Sequence, residues 1–201
     1  MPKYFDLEVS LRSIRPRIWR RFLLPTIATF GDLHTAIQHA GGWYDGHMHA
    51  FRATIGARED LCGTPNDDPW SGQKRRDSER MRLTQWFAED APDLKQKCAY
   101  LYDFGDGWEL DVVLKGVVEL DAHWTRKLLK GARSFPPEDS GGPWSYSGWL
   151  ELLAKDRISL TDDEKDRLEW LGGWQPDDWQ LAQAQATFDR KGPATRLRAV
   201  K

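Results

Sequence analysis

Acidic side chains and histidines that could do chemistry are concentrated in three short stretches of the chain. These are "HMH" at 47–49, "YDFGDGW" at 102–108 and "PPEDSGGPW" at 136–144. Carboxylates and imidazoles bind hard or borderline divalent cations, and they also act as general acids and bases. The candidate ligand-cleft residues in and beside these stretches are His47, His49, Asp103, Asp106, Trp108, Glu138, Asp139 and Trp144.

Each stretch also has a purely structural interpretation. Asp106-Gly107 predicts a tight hairpin turn whose two central residues have positive φ, which accounts for every residue of its stretch except Asp103. Glu138 and Asp139 can cap a helix N-terminus. The "DFG" triplet lacks the phosphate loop and catalytic loop of a kinase. The structural interpretation is therefore favoured over a binding role for the 102–108 stretch, while for Glu138 and Asp139 the two interpretations stand equal.

A second candidate surface is basic and carries one aromatic ring. Between Glu8 and Asp32 the chain holds no acidic residue, and arginine pairs with phosphates and stacks on bases. The candidate contacts for a nucleic acid or another partner are Arg12, Arg15, Arg17, Trp19, Arg20 and Arg21. The alternative is that these arginines cover the solvent face of an edge hairpin and discourage strand pairing.

Composition argues against several classes of protein. A net charge of −2 does not suit coating of nucleic acid or an anionic membrane, and no apolar run approaches the length of a membrane span. Two cysteines are too few for a disulfide framework or a zinc site. The start "MPKYFDLEVSL" resembles no secretory signal, so we expect a cytoplasmic protein. No nucleophile, P-loop or dinucleotide motif stands out.

Periodicity predicts an α+β fold. Alternation over 3–12 and 18–24 predicts a hairpin, and "TFGDLHTAIQHAGGW" predicts a helix with a capping box at Thr29. Alternation over 47–55 predicts a third strand with His47 and His49 on one face. A strand, helix, strand succession favours parallel pairing through a right-handed crossover.

The remaining elements complete a single mixed sheet followed by helices. Residues 56–82 predict a loop excursion, and two further strands surround "FGDG", the second with a bulge at Gly116. Residues 144–190 predict a helical part. We expect one domain over 1–190 and a basic tail over 191–201. The eleven tryptophans are interpreted chiefly as core, with a stacking or peptide-binding surface as the alternative.

Five segments in order resemble the plasmid pRiA4b ORF-3-like family, over essentially residues 3–190. They are "IRPRIWRRFLLP", "FGDLHTAIQHAGGW", "HMHAF", "YDFGDGW" and "PPEDSGGPW". The resemblance implies an α+β domain of unknown activity that is often encoded on mobile elements. Some relatives carry the label of a transposon resolvase, but the strand-like "SLRSIRPRIWRR" and the absence of an evident recognition helix pair do not support that activity here.

The resemblance also implies departures. Many relatives carry cysteines where this chain has Phe135 and Ser140, and a histidine where it has Leu110. A metal site built on those groups would lack its softest ligands here, although the remaining carboxylates and histidines could hold a harder cation.

The leading hypothesis is a binding module without catalysis or cofactor, which engages a protein or nucleic acid through an arginine- and tryptophan-rich surface. The alternative is a metal-dependent hydrolase or nuclease that uses the clustered carboxylates and His47 or His49. An accessory protein with an aromatic peptide groove is a third hypothesis, which the sequence does not separate from the first.

Overall fold

A computed structural model of the protein describes residues 1–55, 58–65, 75–88 and 96–192. Across these ranges one mixed sheet of nine strands and four α-helices form an α+β fold, as predicted. The strands are β1 Lys3–Leu11, β2 Trp19–Pro25, β3 His49–Ile55, β4 Arg58–Gly63, β5 Arg76–Asp77, β6 Lys97–Tyr102, β7 Trp108–Glu119, β8 Trp124–Ala132 and β9 Arg190–Lys191. The helices are α1 Phe30–Gly41, α2 Gly142–Leu153, α3 Asp162–Trp170 and α4 Leu181–Phe188. The strand order is β5-β4-β3-β6-β7-β1-β2-β8-β9.

The predicted hairpin lies at the middle of this sheet. β1 pairs antiparallel with β2 on one side and with β7 on the other. Its alternate residues Phe5, Leu7 and Val9 are fully buried, because a strand presents every second side chain to the same face. The predicted irregularity at Gly116 is confirmed: the register of β1 against β7 shifts between Asp6 and Leu7, opposite this glycine.

Helix α1 covers the core face of the sheet. Thr29 and Asp32 form the predicted capping box, and Leu33 and Ile37 are fully buried on the helix face that packs inward. Gly42 supplies the left-handed C-cap at φ 76°. Gly41 has a different role, because a Cβ there would approach the Phe135 ring to 2.6 Å.

β2 and β3, which flank α1 in the chain, run in the same direction, but the predicted parallel pairing between them is wrong. β3 pairs antiparallel with β4 and with β6, so β1, β7 and β6 lie between it and β2. The hydrogen-bond partners of β3 come later in the chain, which local sequence does not reveal. Among the described residues, the one parallel pairing joins β4 and β5.

The predicted excursion at 56–82 holds more order than expected. β4 and β5 extend the sheet edge from within it, while residues 56–57 and 66–74 lie outside the described ranges. β8 and β9 were not predicted; they extend the opposite edge.

The helical part carries its own small apolar cluster. Trp149 and Leu152 of α2 pack with Leu160 and Leu171, apart from the main core. α4 instead packs against β8 and α1, with Phe188 fully buried in the main core. The predicted basic tail lies outside the described residues from 193 onward. Within the described part of the chain, no helix is both long and apolar enough to cross a membrane.

Candidate functional site

Three loops meet at one end of the sheet. They are residues 43–48 between α1 and β3, 103–107 between β6 and β7, and 135–144, which runs from beyond β8 into the first turn of α2. Side chains of the first loop bond to the third, and His47 and Asp106 join the second loop to the others. We call the exposed part of these loops the loop-end face. The three sequence stretches that carry candidate ligands are therefore brought together.

The 103–107 loop is longer than the predicted two-residue turn. Tyr102 pairs with Trp108, so five residues connect the strands, and positive φ falls on Asp103 and Gly107, with Asp106 outside the positive-φ set. Asp103 Oδ1 accepts from the backbone N–H groups of Gly105, at 3.0 Å, and Asp106, at 3.2 Å. These local bonds favour a left-handed aspartate, and they leave Asp103 Oδ2 directed toward His47.

His47, Asp103 and Asp139 each direct one ligand atom to a common point. The three atoms lie within 4.8 Å of one another, with His47 Nε2 2.9 Å from Asp139 Oδ1 and 3.5 Å from Asp103 Oδ2. Asp139 also has positive φ, and its Oδ2 accepts from the Tyr44 hydroxyl at 2.5 Å. That bond, followed by His47, holds the pKa of Asp139 below its ordinary value, while Asp139 raises the pKa of Tyr44 to about 12.

Glu138 is a buried anchor of the site. Its Oε1 accepts from the Tyr102 hydroxyl and from the backbone N–H of Gly46, and its Oε2 accepts from the N–H of Tyr44 at 2.7 Å. Burial and then Glu138 raise the pKa of Tyr102. The carboxylate thus holds the 43–48 loop against β6 and is not available to a ligand as Asp139 is.

Asp106 joins the second loop to the third. Its Oδ2 accepts from the N–H groups of Gly141 and Gly142 at the start of α2, at 2.9 and 3.1 Å, where a carboxylate also interacts favourably with the helix dipole. Gly142 is required here, because it has φ 71° and any Cβ would collide with the Asp106 carbonyl oxygen. Asp106 is therefore a capping group.

Indole N–H groups hold the third loop from three sides. Trp174 donates to the carbonyl of Phe135 at 2.7 Å, Trp43 to that of Pro136 at 2.8 Å, and Trp149 to that of Ser140 at 2.7 Å. Each ring buries apolar area while satisfying one loop carbonyl. Part of the tryptophan content thus fixes the backbone on which Glu138 and Asp139 are placed.

His49 does not join His47, contrary to the prediction that both share one strand face. β3 begins at His49, so His47 lies in the loop before the strand. The His49 ring is buried, stacks on His34 at 3.7 Å, and approaches the hydroxyls of Ser78 and Thr64. Burial lowers the pKa of His49 to about 3, with His34 as the next cause. It is a packing group and cannot share a ligand with His47.

Of the two predicted tryptophans, only Trp144 lies on the surface. Trp108 is 1% exposed and packs against Trp43 with ring centroids 5.7 Å apart, which removes it from the ligand cleft. Trp144 is 90% exposed at the start of α2.

The basic surface predicted from the sequence is largely neutralised by neighbouring acids. On the solvent side of β2, β1 and β7, Arg21 bonds Asp6 through two nitrogens, Arg17 bonds Glu8 at 2.7 Å, and Arg12 bonds Glu109 and Asp111. We call Arg12, Arg17 and Arg21 with these partners the arginine face. The Trp19 ring is half-buried beneath the Arg17 guanidinium at 5.6 Å, and the exposed Arg15 donates to the carbonyl of Ile14.

Arg20 is buried, so it cannot contact a partner as predicted. Its side chain is 1% exposed and donates to the carbonyl oxygens of Ala40, Trp19 and Ala132. The guanidinium also lies over the rings of Trp179, at 4.3 Å, and Phe135, at 4.8 Å. Burial lowers the pKa of Arg20. This residue joins the C-terminal end of α1 to β8.

Comparison with known proteins agrees with this architecture. The model of the plasmid pRiA4b ORF-3-like protein family matches residues 3–183. The chain belongs to this family. The uncharacterised protein y4hQ of Sinorhizobium fredii is 32% identical over 166 residues, which is 83% of this chain and 79% of that protein.

A solved structure shares the fold. The protein of unknown function MM3350 from Methanosarcina mazei is 30% identical, with a TM-score of 0.78 over 91% of this chain and 98% of that one. Neither relative carries a described activity, so the pRiA4b ORF-3-like family identifies the fold and leaves the function to be argued from the site.

The three positions at which this pRiA4b ORF-3-like protein was expected to depart from its relatives are all buried. Leu110 is fully buried, Phe135 lies between Gly41 and Arg20, and the Ser140 hydroxyl donates to the carbonyl of Pro137 at 2.7 Å. Here they serve packing and loop geometry.

Sequence reasoning missed several residues of the site in this family member. Tyr44, Asp45 and Phe104 lie on the loop-end face, and Asp45 accepts from His34, which in turn bonds Tyr100. The signal was the polar "WYDGHMH" segment directly after a helix stop, because exposed aromatic residues in such a loop are typical of binding surfaces.

Proposed function

We propose that this protein is a non-catalytic binding module that engages a protein partner through the loop-end face. The observation that carries the proposal is where the exposed apolar side chains lie. Of eight large hydrophobic residues exposed within the described ranges, four belong to the three loops: Tyr44, Met48, Phe104 and Trp144. Exposed aromatic and methionine side chains concentrated at one place favour a recognition surface.

The frame beneath this surface supports a recognition role. Glu138, Asp106 and the three indole donors fix the loops before any partner arrives. Pre-organised loops lose less conformational entropy on association, so more of the contact free energy contributes to affinity. The paired charges of the arginine face, in contrast, leave little net positive charge there for a nucleic acid.

The test is site-specific photocrosslinking in the host cell. A photoreactive phenylalanine analogue placed at position 144 is compared with the same analogue at Ile158, which is 93% exposed in the helical part. We expect a discrete protein adduct from position 144 that position 158 does not give, and complex formation must then be reproduced with the purified partner. Equal labelling from both positions, or none from 144, would contradict the proposal.

A divalent cation is the second candidate, favoured by the convergence of His47, Asp103 and Asp139. One imidazole and two carboxylates suit Mn²⁺, Zn²⁺ or Fe²⁺, and each carboxylate already has an outer hydrogen bond that orients it. Such an ion with open positions could activate water for hydrolysis. Calorimetric titration of chelator-treated protein with Mn²⁺ and Zn²⁺ tests this candidate; saturable uptake that His47→Ala abolishes would support it, and absence of uptake would end it.

A further inference from the structure

We infer that the segment of the partner seated on the loop-end face is basic, with a lysine or arginine side chain directed at the carboxylates around His47. This inference rests on the proposed function, since it names the chemistry of the partner at the same surface. Two observations support it: the face carries mainly negative charge, and its exposed aromatic rings can bind a cation.

The charge at the face is predominantly negative. Asp139 and Asp45 expose about half of their side chains, and Asp103 and Glu138 lie directly beneath them. The exposed Tyr44 contacts two of these carboxylates, because its hydroxyl donates to Asp139 and its backbone N–H donates to Glu138. Beyond Asp45 the negative field continues toward the start of α1: burial raises the pKa of Glu79, and Asp32, Asp77 and Asp45 raise it further.

The aromatic rings at the face suit a cation as well. The Arg75 guanidinium already lies over the Phe104 ring at 5.0 Å, so one ring of the face binds an arginine from within the chain. Trp144 is the most exposed ring, and among the described residues no aromatic ring or cation stacks on it. Tryptophan is the best ring for binding a cation by its π face, so Trp144, which is exposed on the loop that also carries Asp139, is suited to receive one.

Phosphate-bearing partners are disfavoured by the same arrangement. A phosphate backbone placed on this face would approach Asp45, Asp103 and Asp139 with charge of the same sign, whereas a lysine or arginine would form charge-assisted hydrogen bonds with them. A small divalent cation would compete with a basic side chain for Asp103 and Asp139. The experiment below therefore also measures peptide binding with an added cation.

The experiment measures fluorescence anisotropy of short labelled oligolysine and oligoarginine peptides on the full chain, with oligoglutamate as the probe of opposite sign. Binding is compared for the unaltered protein, Asp139→Asn and Trp144→Ala. The matched controls are Asp162→Asn, an exposed carboxylate of α3, and Ile158→Ala, an exposed apolar residue. Thermal unfolding of each variant verifies that it is folded.

We expect oligolysine and oligoarginine to bind, and oligoglutamate not to bind. Asp139→Asn should weaken binding by about tenfold and Trp144→Ala by roughly threefold or more, while both controls stay within about twofold. Added Mn²⁺ should lower the peptide affinity, because it competes for Asp103 and Asp139.

Two results would overturn the inference and leave the proposed function standing. One is an equal loss of binding in Asp162→Asn, which would show a general attraction of an acidic surface for polycations. The other is no peptide binding, together with crosslinks from position 144 to partner segments without lysine or arginine; the proposed function would then stand and the basic partner would not. No face-specific crosslink and no peptide binding would remove both.

Discussion

The arginine face and the loop-end face are both rich in charge, yet they differ in how that charge is balanced. On the arginine face Arg12, Arg17 and Arg21 lie against carboxylates of the same or neighbouring strands. On the loop-end face Asp103 and Asp139 approach each other with a single imidazole between them. The first surface is balanced within the fold, and the second is not.

The difference indicates what each surface is for. Cross-strand ion pairs contribute little stability at an exposed face, but they keep a charged sheet surface neutral. A cluster of like charge on a rigid frame has an electrostatic cost that an external positive charge would remove. Along the sequence the arginines form a run of like charge, but in the fold they lie against carboxylates, whereas Asp103 and Asp139 lie close to each other.

We expect the largest effect on stability from Arg20, the buried arginine of the 12–21 segment. Arg20→Met leaves the carbonyls of Ala40 and Ala132 without a donor and removes two ring contacts, so we expect a loss of about 3 kcal/mol in unfolding free energy. Urea denaturation measures it. A loss below about 1 kcal/mol would show that the buried cation does not hold α1 to β8.

The next effect tests the frame of the loop-end face. Glu138→Ala leaves the Tyr102 hydroxyl and the Tyr44 N–H without their acceptor, and we expect a loss of about 2 kcal/mol in urea denaturation. Asp139→Asn, one residue later at an exposed position, is the control and should change stability far less. Equal losses would contradict the division between anchor and exposed ligand.

A pH dependence should come from the buried histidine stack. An unfolded histidine has a pKa of 6.5, whereas folded His49 has a pKa of about 3. Between these two pH values the unfolded state therefore binds more protons than the folded state. Stability should therefore fall as pH is lowered from about 6.5 toward 3, by up to ~1.4 kcal/mol per pH unit for this residue.

His34, whose pKa is also lowered, acts in the same direction. The measurement is unfolding free energy against pH for the unaltered protein and His49→Gln, and we expect a shallower slope in the variant. Parallel curves would show that the stack does not titrate on unfolding.

The smallest effect is expected on the arginine face. Arg17→Gln breaks one exposed pair with Glu8, which is worth about 0.5 kcal/mol or less. Chemical denaturation in low and high salt measures this loss of unfolding free energy. A loss above about 1.5 kcal/mol would show that the pair stabilises the fold as well as neutralising the surface.

Local signals in the sequence predicted local structure. The capping box at Thr29 and the hairpin of β1 and β2 need only neighbouring residues, and both are confirmed. The three candidate stretches meet at one end of the sheet, although His49 and Trp108 within them are buried. Sheet order was not predictable in the same way, because β3 pairs with β6 some fifty residues later in the chain.

The role of each residue in the site depends on strand pairing, which the sequence does not reveal. His47 and His49 separated because the strand begins between them, and Glu138 and Asp139 took opposite burial although they are adjacent. The arginines looked unopposed along the chain, but the register of β1 against β2 and β7 places acids beside them. Partners that are distant in sequence decide which charges remain uncompensated.

Binding of labelled single- and double-stranded DNA and RNA at two salt concentrations tests this charge balance most directly. Because the arginine face is neutralised and the loop-end face is negative, we expect no binding even at low salt. Steeply salt-dependent binding that is lost when Arg17 and Arg21 are replaced by glutamate would contradict the account, since the arginine face would then be the recognition surface.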